Sequence, residues 1–270
     1  MMRSSGLSAM KKRLTPNLKF IVRDRAHGSK RLLSRTWGAD KYLNEVTQRF
    51  VRSRRSMARL IHFSPELRRK FQLYCRSTFG VVHKTCKNMR AAPQRYECLQ
   101  KPFGRSVLFV HACIKLAAWC NTVRDDESSA IGKEFLEYIV DESALQAAMQ
   151  ADASDQIMII TRLVDNEDTD PAILPREICA CLDALELLFG EQKKCLDVFG
   201  YTKAMMHILS RPLVWTVGSE VRSLGSDVGP SAEVVDRCFG RMRSWMCLLR
   251  ATVAVEFPSF EVSHARRPPY

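Results

Sequence analysis

The sequence lacks every compact active-site signature that a chain of its size could carry. No G-x-S-x-G elbow, P-loop or G-x-G-x-x-G fingerprint occurs in its 270 residues, which leaves hydrolase, NTPase and dinucleotide chemistry without their usual framework. No C-x-x-C pair occurs among the ten cysteines. Cys75, His83, Cys86 and Cys98 are zinc-capable types, but their spacing fits no pair-of-pairs pattern, and Cys179-x-Cys181 has no neighbouring pair. The acidic "DNEDTD" run fails as a calcium loop. Asp170 stands where the sixth-position glycine belongs, and Arg176 where the twelfth-position glutamate belongs. No metal or cofactor is implied.

Long apolar runs are also missing. The longest, "SVLFVHACIKLAAWC" from Ser106 to Cys120, holds His111 and Lys115 and is too short to span a bilayer comfortably. It reads as one core helix, His111 and His207 read as core histidines, and no membrane partner is expected. No apolar leader segment opens the chain, so a reducing compartment and cysteines acting as small buried hydrophobes are expected. The basic, serine-containing start is similar to an organelle transit peptide, so organelle import stays open beside a nuclear or cytoplasmic location, the nucleus being favoured.

Strand signals are scarce. "LKFIV" (Leu18–Val22) and "LVWTV" (Leu213–Val217) are the best of them. The prevailing period is helical. Leu43, Val46, Phe50, Met57 and Ile61 recur at helical spacing over Ala39–Ile61, with Lys41, Arg52, Arg55 and Arg59 opposite. Arg54 falls near the apolar side, so either the helix breaks near Ser53 or Arg54 meets an acid. Ser64, Pro65 and Glu66 suit a helix N-cap, first position and first turn. Further helices are expected from Gly104 to about Arg124, over Ser129–Val140, Asp141–Ala151 and Ser154–Val164, and after Pro175. Ser231 should cap a last helix with a stripe of Val235, Cys238, Phe239, Met242, Trp245, Met246, Leu249 and Val253. The expected fold is mostly α, a multi-helix array with one or two strands. The expected divisions are a basic flexible start (1–17), a basic helical region (18–124), an acidic helical region (125–210), a Gly/Ser/Pro linker (211–230), a long helix (231–257) and a disordered tail (258–270).

Acids are rare where bases abound. Residues 1–124 carry 28 Lys/Arg against 5 Asp/Glu, residues 125–197 carry 5 against 18, and the whole chain nets +13. Segregation of this kind speaks of partners rather than of fold. Clustered arginines can neutralise phosphates and release counterions. Lys41, Arg52, Arg55, Arg59, Arg68 and Arg69 are the candidate phosphate contacts, with DNA favoured over RNA. The alternative is a helical scaffold whose acidic middle engages the basic third, within one chain, between two copies, or through an acidic protein partner.

Two stretches carry a family resemblance. "RDRAHGSKRLL" resembles the Cys-x-x-His segment of hAT-type transposases. Some seventy residues on, "QRYECL" resembles their Arg-Trp-x-Ser stretch, with Arg95 matching and Tyr96 in the tryptophan place. The resemblance spans about residues 18–210 and implies a helical insertion region, with Arg95 and Tyr96 as further nucleic-acid contacts. Asp24 stands where the family has its cysteine. No acid occupies the upstream "SSGLSAMKK", where the catalytic aspartate would lie. Two-metal phosphoryl chemistry needs paired carboxylates, so the resemblance implies a truncated derivative that is not an enzyme. Asp24 is then expected to pair with Arg23, Arg25 or Arg31 or to cap the following helix, and His27 to pack rather than ligate.

Overall fold

The computed structural model describes residues 25–79, 89, 100–124, 126–166 and 169–257. Among these the protein is mostly α, with one two-stranded sheet. Helix α1 spans Arg25–Ala39 and α2 Lys41–Thr47, and a π-helical turn, Gln48–Arg52, extends α2. Helices α3 (Met57–Phe63), α4 (Pro65–Phe79), α5 (Gln100–Leu108), α6 (Val110–Val123) and α7 (Glu127–Tyr138) follow. Then come α8 (Asp141–Asp165), α9 (Leu174–Phe189), α10 (Tyr201–Leu209), strands β1 (Leu213–Val217) and β2 (Glu220–Leu224), and α11 (Ala232–Glu256).

Helix α8 is the axis of the core. Its residues 143–154 are all buried, as expected of a helix surrounded on every side, and α1, α2, α5, α9, α10 and α11 pack around it. The sequence suggests two helices here, ending and restarting near residue 152. They are one, because no glycine or proline interrupts the run and Asp152 serves a different helix. Its carboxylate accepts from the backbone N–H groups of Tyr201 (2.8 Å) and Thr202 (2.8 Å) and from Thr202 Oγ1 (2.6 Å). It thereby satisfies the otherwise unpaired donors at the start of α10. Burial raises the Asp152 pKa, and these hydrogen bonds partly offset the rise. Gln150 Nε2 donates to Leu43 O at 3.1 Å and ties α8 to α2.

The first and last described helices lock together across the core. Trp37 and Trp245 are 2% and 1% exposed, and their rings lie 6.4 Å apart. Trp245 Nε1 donates to Thr36 Oγ1 at 2.8 Å. At the far end Glu256, 4% exposed, accepts from Arg35 (2.5 Å) and Arg31 (3.2 Å). Ser231 Oγ accepts from Val234 N and caps α11. The expected stripe from Cys238 to Val253 is buried, with Val235 partly buried against it.

Several expected elements differ. The Ser106–Cys120 run is not one helix, since α5 and α6 meet at Phe109 with a bend of 77°. No single helix among the described residues is long and apolar enough to cross a membrane, although the α5–α6 pair passes together on length and composition. The 211–230 segment is not an open linker. Its Gly-Ser content serves turns of a hairpin that buries Trp215, Val217 and Leu224. Val217 pairs with Glu220, leaving a two-residue loop that opens on Gly218 at φ +59°, the position where such loops demand glycine. Gly225, at φ +80°, donates its N–H to Asp141 Oδ1 at 2.6 Å, and Ser226 N bonds Leu209 O. His111 is half-buried, and its Nε2 has no hydrogen-bond partner among the described residues. His207 is exposed, so neither histidine is a satisfied core residue. The Leu18–Val22 strand, Asp24, the His27 side chain, and the two expected terminal segments lie outside the described residues.

Candidate nucleic-acid interface

Residues 52–79 hold eight lysines and arginines and one acid, Glu66. The local fold sorts these cations by use. The helical run from Lys41 ends at Ser53, whose ψ of 154° leaves the helix. Ser56 restarts it as N-cap of α3, accepting from Arg59 N while its own hydroxyl donates to Val51 O. The break places Arg54 on the surface and removes its conflict with the apolar face. Phe50, Val51, Met57, Ala58 and Ile61 turn into the core. On α4, Ser64 caps through Leu67 N at 3.2 Å, and Leu67, Phe71 and Cys75 face inward.

What remains outside is a set of exposed guanidinium groups. Arg52, Arg54, Arg59, Arg69 and Arg76 are all exposed, and none has a carboxylate partner among the described residues. Arg69 and Arg76 stand two helical turns apart on one face of α4, with Leu73, 55% exposed, between them. The Arg59 guanidinium lies 4.8 Å from the ring centre of Phe63, itself 54% exposed. Lys41 is exposed too, but its place in the first turn of α2 sets it eleven residues, roughly 16 Å along the helix, from Arg52.

Two expected contacts have other work. Arg55 grips Glu134 of α7 with two nitrogens, at 2.6 and 3.3 Å, and Arg49 reaches the same carboxylate at 3.0 Å. The Arg55 hydrogen bond holds the Glu134 carboxyl below its ordinary pKa, with burial acting against it and Arg49 adding to it. Arg68 donates to the carbonyl oxygens of Ile61 and His62 and closes the end of α3. Glu66, the one acid of the segment, bonds Arg124 at 3.1 Å. Arg95 and Tyr96 lie outside the described residues. Arg54 and Arg76 are not among the contacts expected from sequence. The signal for Arg76 was its seven-residue spacing from Arg69, and for Arg54 the serines on either side that end one helix and cap the next.

Other clusters are structural. Glu142 binds Arg237 (2.8 Å) and Arg241 (2.5 Å). Burial pushes its pKa up and the two arginines more than reverse that. Cys181 and Cys238 are buried, and burial pushes each thiol up to about 12. That suppresses the thiolate needed for nucleophilic or ligand roles. Cys179 is half-buried and Cys247 exposed. Among the described residues no group of three or more His, Cys, Asp or Glu side chains is placed to hold a metal ion.

Comparison with protein-family models, with curated proteins and with solved structures gives no match.

Proposed function

We propose that this is a non-catalytic nucleic-acid-binding protein whose contact surface is the outer side of α3, α4 and the preceding turn. The observation that carries the reading is the set of five exposed guanidinium groups, Arg52, Arg54, Arg59, Arg69 and Arg76, without a carboxylate partner among the described residues. A folded protein that holds this much unneutralised charge in one stretch lowers its self-repulsion when a polyanion covers it. Arg59 beside Phe63 adds a cation and an apolar ring to the same face. DNA is favoured over RNA as the phosphate source, and a nuclear location follows from that choice. A derivation from a hAT-type transposase, without its catalysis, rests on the two short motifs at Arg23–Leu33 and Gln94–Leu99.

The test is fluorescence anisotropy with labelled DNA and RNA, comparing the native chain with the triple variant R52E/R59E/R69E. Binding should vanish while the melting temperature stays put, because none of the three side chains has a buried partner among the described residues. Undiminished binding by the variant, or no binding by a folded native chain, overturns the reading.

A second reading, an interaction scaffold, is favoured by one observation. Glu134 of the acidic middle already engages Arg49 and Arg55 of the basic third within one chain. It expects no affinity for nucleic acid and an R55E variant that loosens the fold.

A further inference from the structure

Beside the exposed arginines lies a groove of about 430 Å³ between α4, α6 and β1. That volume falls within the roughly 300–1,000 Å³ of small-ligand sites. Tyr74, Trp119 and Trp215 line it with Lys115, Val123 and Val214. Val123 and Val214 are 61% and 60% exposed. The cations around it are as telling as the rings. Lys70 Nζ lies 5.0 Å from the Trp119 ring centre and 5.7 Å from that of Tyr74. Lys115 Nζ reaches Thr78 Oγ1 at 3.5 Å, and neither lysine has a carboxylate partner among the described residues. Arg124 stands 5.9 Å from Trp119 and holds both Glu66 at 3.1 Å and Asp126 at 3.2 Å. Among the described residues no acid lines the groove itself.

We propose that this groove receives an unpaired base of a single-stranded nucleic acid, an inference that rests on the phosphate-contact reading and specifies its substrate. Aromatic side chains stack on the face of any base, and ammonium groups beside them meet the adjoining phosphate. The groove offers both within one turn of α4. Successive residues of a helix are turned by about 100°. Lys70 and Tyr74 therefore lie on the flank next to the face that carries Arg69 and Arg76. A strand whose backbone runs over the arginines passes one described acid of the same helix, Glu66, whose charge Arg124 offsets at 3.1 Å, before it reaches the groove. A purely apolar peptide would fill the space but leave two lysines that have no counter-charge among the described residues over its path.

Tryptophan emission of the full chain tests this. Trp37 and Trp245 are sealed in the core, and Trp215 is 6% exposed, so the half-buried Trp119 is the chief reporter. The probes are a twelve-nucleotide oligothymidylate and a duplex of the same length. The expected results are quenching by the single strand, loss of that quenching in Trp119→Phe, and weaker single-strand binding in Trp119→Ala by roughly 5- to 150-fold. Lys115→Gln should weaken the single strand too, with duplex binding and melting temperature unchanged. This variant keeps the test intact if Trp119→Ala fails to fold. Equal binding of both probes with Lys115→Gln neutral sinks the groove and spares the arginine surface. Binding of neither probe sinks both. Quenching by an apolar dye but not by the oligonucleotide overturns the proposal and makes the groove a docking surface for an apolar peptide.

Discussion

The ion triad at the end of α11 gives the sharpest energetic prediction. The Glu256 side chain is 2% exposed, whereas its partners Arg31 and Arg35 are 35% and 42% exposed. The two sides of the interaction therefore differ in what a deletion leaves behind. Replacing Glu256 by Gln frees two guanidinium groups that already touch solvent and can turn into it. The cost is the net worth of charge-assisted bonds at a half-solvated site, about 1–2 kcal/mol after discounting for screening. Replacing both arginines by Met leaves a carboxylate buried without a counter-charge, a loss of about 3–5 kcal/mol. Arg35→Met alone should cost about 1 kcal/mol, because Arg31 still compensates. The double arginine variant should thus lose more stability than its two single variants together, since the first deletion is buffered and the second is not. Urea unfolding followed by far-UV circular dichroism measures these four variants, Arg31→Met among them, against the native chain. If Glu256→Gln proves more damaging than the double arginine variant, or if the arginine effects simply add, the triad does not work as described.

Three other outcomes follow from the geometry. Gly132→Ala sets a methyl group 2.7 Å from the Ala117 carbonyl oxygen, where α7 crosses α6. It should cost about 1–3 kcal/mol in a melting or urea experiment, and native-like stability would contradict the close approach. Glu134→Gln releases Arg55 to solvent; stability should fall by no more than about 1 kcal/mol for so exposed a pair, and DNA affinity should rise, whereas weaker DNA binding would count against the arginine surface. The His111 pKa is lowered by burial and then by Lys115. The unfolded chain therefore takes up that proton first, and His111 subtracts stability as pH falls below about 6.5. Between pH 7 and 5 the native chain should lose more stability to acid than His111→Gln does; parallel losses would refute the assignment.

Much of the architecture could be read from residue types alone where a local signal acts by itself. Ser64-Pro65-Glu66 and Ser231 start α4 and α11 where their chemistry requires, and the Leu213–Val217 strand forms where it is expected. The readings that failed depend on contacts distant in sequence. Asp152 looks like a helix boundary until α10 arrives to use its carboxylate. The glycines after Leu213 look like a linker because their positive φ angles serve a hairpin that only its packing reveals. The same limit governs the candidate interface. Arg55 and Arg59 are indistinguishable along the chain, and only the position of Glu134 on α7 withdraws one and leaves the other exposed.

The slope of binding against salt tests the central claim most directly. The full chain is titrated onto a labelled duplex from 50 to 200 mM sodium chloride, with circular dichroism confirming the fold at each concentration. Five phosphate contacts give a slope of about −4.5 in log K against log salt, or roughly a 500-fold loss of affinity over that range. R52E/R59E/R69E should flatten whatever binding survives toward a slope of about −1.8 or less. A slope near zero, or no binding by the folded chain at the lowest salt, would contradict a phosphate-binding surface and leave the exposed arginines to a protein partner.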